Sequence, residues 1–153
     1  MGLAAPACSI PAFASPPSLR FGPLAAWLTD PQGALVQFQQ PVRGTIELAS
    51  WLVGPAYDRL DAAFPGRSGL VFVFDMSQMV GRSAVARSIL LNKMRQVSPR
   101  FARVVIVPPL VAPPMYLQSL RFTFSLLRSL GVATEFAESS ASAIERMSLR
   151  ALP

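Results

Sequence analysis

The sequence contains no histidine and a single cysteine, Cys8. Zinc sites built on these residues, cysteine–histidine dyads and serine–histidine–aspartate triads are therefore excluded within the chain. A lone cysteine cannot form an intrachain disulfide, which fits a reducing cytoplasm. The sequence thus predicts a cytoplasmic protein that is not an enzyme, with no metal site and no cofactor.

Charge is also scarce. Charged residues make up 14% of the 153 residues and apolar residues 52%, whereas an ordinary soluble domain is about 25% charged. A chain of this length and composition is expected to fold as one domain with a substantial core. Too few polar side chains remain to cover the outside, so we expect apolar surface to be left for a protein partner or a second copy of the chain.

Negative charge is missing from the middle of the chain. The formal net charge is +6, and no acidic residue occurs between Asp75 and Glu135. Such asymmetry indicates an acidic partner, which could be a protein surface, lipid headgroups or nucleic acid. Alternatively, the arginines lie on solvent-exposed faces of helices and bind no partner. Nucleic acid is the least favoured partner, because neither an aromatic stacking array nor a known binding module accompanies the basic residues.

Long uninterrupted hydrophobic segments are missing as well. The first 25 residues are rich in proline and alanine and have no basic start, which predicts a disordered leader rather than a signal peptide. Residues 104–120 carry no charge, but two proline pairs interrupt them, so no transmembrane segment is expected. The folded domain is predicted over residues 26–150.

Beyond the leader, strand and helix patterns alternate. Residues 25–29 and 34–39 flank the turn sequence Asp30-Pro31-Gln32-Gly33 and predict a hairpin whose second strand is half exposed. Apolar, β-favouring runs predict three further strands, at residues 70–74, 102–107 and 132–137.

Four helices are predicted between and after these strands. The first, at residues 45–64, should kink or split at Gly54-Pro55, and the last should begin with a capping box of Ser142 and Glu145. The helical spacing places them at residues 45–64, 83–97, 114–130 and 142–150. The order β-β-α-β-α-β-α-β-α predicts an α/β fold with a mostly parallel central sheet and an N-terminal hairpin.

Several local sequences match one known family in their order. One strand ends in Val73-Phe74-Asp75-Met76-Ser77, similar to a family strand followed by Asp-Leu-Ser. The preceding helix begins Gly44-Thr45-Ile46-Glu47, and the last strand reads Val132-Ala133-Thr134-Glu135-Phe136, followed by Ala143. Over residues 27–149 the chain thus resembles the STAS family (sulphate transporter and anti-sigma factor antagonist domain), especially its SpoIIAA-like branch. The resemblance implies a single STAS-like domain that acts as a regulatory, protein-binding module.

The chain departs from this family at one motif. Anti-sigma factor antagonists carry Asp-Ser-Ser-Gly before the helix that follows the central strand, and a partner kinase phosphorylates one of its serines. The matching stretch here runs from Gln78 to Ala84 and lacks that motif, with Ser83 as the nearest equivalent. Ser83 is therefore a candidate phosphorylation site, although its residue type also suits a helix N-cap.

A candidate ligand-binding edge follows the strand that ends at Asp75. Ligands of open α/β sheets bind at the carboxyl ends of the strands, and Ser77 and Arg82 come soon after Asp75. Alternatively, the Asp75 carboxylate accepts backbone N–H groups in its own turn.

A candidate partner-binding surface lies on the helix at residues 114–130. At 100° per residue, Leu117, Leu120, Phe124 and Leu127 share the face expected to pack on the sheet. A second apolar edge with a basic rim remains, formed by Met115, Phe122, Leu126, Arg121 and Arg128. Neighbouring helices could instead cover this edge.

Two functions follow from these surfaces. The first is a non-catalytic module that binds a protein partner with an acidic surface, or a second copy, through the apolar helix edge. The second is a domain that binds a small ligand, a lipid or a nucleotide, at the carboxyl ends of the strands. A dry concave pocket would favour the second function, and a flat apolar patch on a helix would favour the first.

Overall fold

A mostly parallel sheet forms the centre of the fold. In the computed structural model, which describes residues 10–110 and 114–153, seven strands form this sheet, in the order β1-β2-β3-β5-β7-β8, and β9 pairs with β2. Two more strands, β4 and β6, form a separate parallel pair. The strands are β1 (Leu19–Phe21), β2 (Leu24–Asp30), β3 (Gly33–Phe38), β4 (Val42–Gly44), β5 (Leu70–Asp75), β6 (Met79–Arg82), β7 (Phe101–Val107), β8 (Ala133–Phe136) and β9 (Arg150–Ala151).

The register confirms the predicted α/β class. Strands β2 and β3 form the antiparallel hairpin, and β3-β5, β5-β7 and β7-β8 are parallel neighbours. The crossovers between them carry the helices, as parallel strands require. The helices are α1 (Ile46–Trp51), α2 (Tyr57–Ala63), α3 (Ala84–Val97), α4 (Pro114–Ser129) and α5 (Ser140–Met147).

The predicted break at Gly54-Pro55 is a π-helical turn, Leu52–Ala56, that joins α1 to α2. Pro55 has no N–H to donate and cannot continue a regular α-helix. The wider π-helical turn accommodates Pro55, which has no N–H to donate. The N–H of the cap residue Tyr57 donates to the Leu52 and Gly54 carbonyls. The helical segment therefore continues from α1 into α2 without a gap.

The capping box predicted for the last helix is wrong. The Ser139 hydroxyl accepts the Ser142 N–H at 3.0 Å, so Ser139 is the N-cap and Ser142 lies in the first turn. The helix ends earlier than predicted, because Ser148 has a φ of 51°. The chain then turns back, and Arg150 pairs with Asp30 of β2.

Side chains on the two faces of the sheet form two separate cores. Residues such as Val36, Phe74 and Ile106 pack under α1, α2, α3 and α4. Their neighbours Leu35 and Val73 point to the opposite face, which α5 covers in part. Within the described ranges, no helix is long and apolar enough to cross a membrane.

Residues 10–25 do not form the disordered leader that the composition predicted. Phe13 packs edge-on against Trp27 with 5.8 Å between ring centroids, and the Trp27 indole donates to the Ser15 carbonyl. Residues 19–21 are strand β1, and β2 already begins at Leu24. We call residues 10–18 the N-terminal strap; it covers the part of the second sheet face that α5 leaves open. Residues 1–9 of the predicted leader lie outside the described part.

The strap also explains why β3 is buried throughout, although its alternating pattern predicted a half-exposed strand. Gln37, the polar member of the pattern, points towards the strap rather than into solvent. Its Oε1 accepts the Ala12 N–H, and its Nε2 donates to the Ile10 carbonyl, both at 3.0 Å. The Gln37 amide thus gives the Ala12 N–H and the Ile10 carbonyl the hydrogen bonds that water would otherwise provide.

Arg100 ties the end of α2 to the start of β7. Its guanidinium donates to the Tyr57 hydroxyl and Asp61, and to the carbonyls of Phe64 and Arg67, just beyond α2. The hydrogen bond to Tyr57 raises the pKa of Arg100 above its usual value. Carbonyls near a helix end have no hydrogen-bond donor within the helix, and the Arg100 guanidinium donates to two such carbonyls, those of Phe64 and Arg67.

The substitution Arg100→Met is expected to lower the free energy of unfolding by about 2 kcal/mol, because it leaves a phenol and two carbonyls without a charged donor. The Asp61 ion pair adds little, since Asp61 is half exposed. Urea unfolding measures the loss. The matched control is Arg95→Met on the exposed last turn of α3, and equal losses in the two variants would contradict the role of Arg100.

Candidate functional site

Asp75 is the centre of a buried polar cluster at the carboxyl end of β5. The residue is 3% exposed. Its Oδ1 accepts the Ser77 N–H at 2.9 Å, and its Oδ2 accepts from Gln37 Nε2 at 3.3 Å and from the Ser140 hydroxyl at 2.5 Å. Three donors from three parts of the chain thus converge on one carboxylate.

The predicted ligand edge is therefore closed at Asp75. Its carboxylate is engaged within the chain, and Ser77 supplies one of the donors. The backbone of Arg82 lies in β6, paired with Gly44; the Arg82 side chain lies outside the described part. The observed hydrogen bonds match the alternative interpretation, in which Asp75 holds its own turn together.

Ser83 caps α3. Its hydroxyl accepts the Ala86 N–H at 3.0 Å, and the residue has the extended backbone of an N-cap. Its N–H donates to the Gly44 carbonyl, which anchors the start of α3 to β4. Phosphorylation of Ser83 stays a prediction.

Helix α4 shows the predicted division between a buried and an apolar outer side. Leu120, Phe124 and Leu127 are buried against the sheet. Met115 is 80% exposed and Phe122 64%. Of the remaining members of the predicted edge, Arg121 and Arg128 are exposed and Leu126 is half-buried.

The structure also contains an apolar cavity that the sequence analysis missed. Its volume is about 150 Å³. It lies between α3 and the sheet, since its wall includes Leu90 and Met94 of α3 and Phe72 of β5. Within α3 only Ala86 is described as buried, while Leu90 and Met94 on the same face are half-buried and line the cavity.

Small side chains on the facing elements leave this space open. Ala26 and Ala34 lie on adjacent strands of the floor, and Ala56 lies on the π-helical turn at one end. A larger side chain at any of these positions would reach into the space. The small size of these alanines is visible in the sequence. That all three face the space beneath α3 depends on the tertiary packing, so the sequence alone did not predict the cavity.

The cavity wall is apolar except for a few groups. Among the described lining residues the charged ones are all basic: Arg59, Arg87 and Lys93. The Arg87 Nε is buried with no hydrogen-bond partner in the described part of the chain. The Lys93 ammonium lies 4.2 Å from the centre of the Tyr57 ring, another lining residue. An apolar space with a basic, partly unpaired lining suits a ligand that has an apolar part and an anionic end.

Comparisons with known proteins identify the fold. No protein-family model and no curated protein matches the chain. Among solved structures, the chain is similar to an uncharacterised protein of the DUF3478 family with a SpoIIAA-like fold, from Shewanella loihica PV-4. The two are 17% identical with a TM-score of 0.56, and the match covers 76% of this chain and 85% of that one. The topology and this similarity together establish that the chain has a SpoIIAA-like fold, as its resemblance to the STAS family predicted.

Proposed function

We propose that the chain is a binding domain for an amphipathic ligand, whose apolar part fills the cavity under α3 and whose anionic end meets the basic lining residues. The observation that carries this proposal is the apolar cavity of about 150 Å³. Engineered cavities of about this size stay dry and bind a benzene-sized molecule. The apolar part of the ligand is therefore small, on the order of six carbon atoms.

The energetic cost of the empty cavity supports a role in binding. The apolar side chains around an unfilled space lose packing contacts, which lowers the stability of the fold. A ligand in the cavity would recover part of that cost as binding free energy.

The charges support an anionic end. The described lining contains three cations and no carboxylate, and the Arg87 Nε has no hydrogen-bond partner there. A carboxylate or phosphate near Arg87 would supply a charge-assisted acceptor. The role that we propose for this lining is binding.

Titration with octanoate and with octanol tests this function, because the two share a chain and differ in charge. We expect both to bind, with amide shifts in the NMR spectrum confined to α3 and the strands beneath it. Replacing Arg87 by methionine should weaken octanoate binding about 10-fold, the value of one charge-assisted hydrogen bond, and change octanol binding less than about 2-fold. Arg95→Met is again the control. If neither octanoate nor octanol bound, the proposal would be refuted.

A second variant tests the cavity itself. Ala34→Ile adds three carbon atoms on the cavity floor, in a strand where a β-branched residue is favourable. We expect it to raise the free energy of unfolding by about 1–2 kcal/mol and to weaken binding of both probes. A destabilised variant would show that the space beneath α3 is already filled.

A further inference from the structure

We propose that the ligand of the cavity carries an anionic group at each end, with an apolar chain of about six carbon atoms between them. This inference rests on the proposed function and extends it from one anionic end to two. The observation that carries it is the place of a second cation, Lys93, in the cavity lining beside Arg87.

Arg87, Leu90 and Lys93 form one diagonal row on α3. Each lies three residues after the one before, about 300° further round the helix, so the three side chains follow an i±3 ridge of the helix surface. All three line the cavity. The row thus places an apolar side chain between two cations on the wall that α3 contributes.

Both cations can accept a new anionic partner. The Arg87 Nε is buried and has no hydrogen-bond partner among the described residues. Lys93 forms no ion pair within residues 10–110 and 114–153, and its ammonium lies 4.2 Å from the centre of the Tyr57 ring. A ring face engages an ammonium from one side, which leaves N–H donors for an anion on the other.

The position of Lys93 suits an end of the ligand rather than its middle. Lys93 is half-buried, as expected for a lysine whose stem lines an apolar space while its ammonium stays near solvent. The Tyr57 ring beneath the ammonium is fixed in turn, because the Tyr57 hydroxyl accepts a hydrogen bond from Arg100 at 3.0 Å. A second anionic group at Lys93 keeps part of its hydration, which lowers the cost of bringing two charges to one cavity.

The spacing of the two cations sets the length of the ligand. Six residues advance about 9 Å along a helix axis. With C–C bonds of about 1.5 Å, the terminal carbons of an extended eight-carbon diacid lie roughly 9 Å apart. Suberate (octanedioate) has this length, and its six methylene groups form an apolar part of the size that the cavity accepts.

Titration calorimetry with octanoate and suberate tests the second anionic group, because suberate carries a further carboxylate at the far end of the same chain. Suberate should bind about 10-fold more tightly, the value of one charge-assisted hydrogen bond. Lys93→Met should remove this gain while methionine keeps a contact with the Tyr57 ring. Arg95→Met removes the same charge from the exposed last turn of α3 and should leave the ratio of the two affinities unchanged.

A charge reversal tests whether Lys93 contacts the ligand directly. Lys93→Glu should reject suberate and prefer 8-aminooctanoate, whose ammonium takes the place of the second carboxylate. The wild type should show the opposite order. A general loss of stability weakens both ligands alike and cannot reverse their order, and thermal melts check that each variant is folded.

The outcomes separate this inference from the proposed function. If octanoate binds and suberate binds no more tightly, the second anionic group is wrong and a ligand with one anionic end remains. If Arg59→Met removes the gain in place of Lys93→Met, the far end of the ligand lies at α2 and the assignment to Lys93 is overturned. If neither octanoate nor suberate binds, the proposed function and this inference fall together.

Discussion

Replacing Gly33 by alanine is expected to unfold the domain or to cost more than about 4 kcal/mol. Gly33 opens β3 and pairs with Val71 of β5. A Cβ at Gly33 would lie 1.8 Å from the Val71 carbonyl oxygen and 2.7 Å from its carbon. Both are backbone atoms held by the parallel ladder, so neither can move away without breaking the β3-β5 pairing.

Gly54→Ala is the matched control. Gly54 lies in the π-helical turn, and an added Cβ there would meet no atom within 4 Å apart from its chain neighbours and the backbone of its own helix. This variant should be as stable as the wild type or more stable by up to about 1 kcal/mol, since alanine restricts the unfolded chain. Circular dichroism melts of both variants measure the difference. Similar melting of Gly33→Ala and the wild type would contradict the register of β3 on β5.

The second large effect is expected at Asp75. Asp75→Ala should lower the free energy of unfolding by about 3–5 kcal/mol, because three buried donors lose their acceptor at about 1–3 kcal/mol each. Gln37 would also lose the partner that orients its amide, and the strap is held by that amide. Hydrogen exchange at the Ala12 N–H should therefore accelerate together with the loss of stability.

Ser140→Ala provides the comparison, since it removes one donor and leaves the carboxylate with two. It should cost about 1 kcal/mol. A double-mutant cycle between Asp75 and Ser140 then isolates their coupling. If Asp75→Ala left stability unchanged and altered only ligand binding, the predicted ligand edge would be right and the structural role wrong.

The strand positions and their order followed from local patterns. Leu70 to Phe74 and Val104 to Val107 are uninterrupted, β-favouring runs that only a two-sided core can bury, and the helices between them require parallel pairing. The resemblance to the STAS family rests on the same segments. The short strands β1, β4, β6 and β9 were missed because two to four extended residues produce no clear period.

The candidate site was harder to predict, because its contacts join residues far apart in the chain. Gln37 has the polarity of a solvent-facing strand residue, yet the strap buries it through hydrogen bonds to residues 25 and 27 positions away. The cavity depends on a distance between α3 and the sheet, which no local pattern encodes. The amphipathic division of α4, in contrast, is a property of one helix, and spacing alone placed Met115 and Phe122 outside the face that packs on the sheet.

The edges of the sheet bear on aggregation. A long unpaired edge recruits other chains, a hazard for a protein with so much apolar sequence. Here β1 and β9 share the outer edge of β2, and between them the Ser18 hydroxyl accepts the Leu28 N–H while the Leu28 carbonyl accepts the Leu152 N–H. The opposite edge, β8, has four residues, and Arg103 and Arg146 flank its Glu135. Neither edge offers a long run of free backbone groups, so fibril growth by strand addition should require local unfolding first.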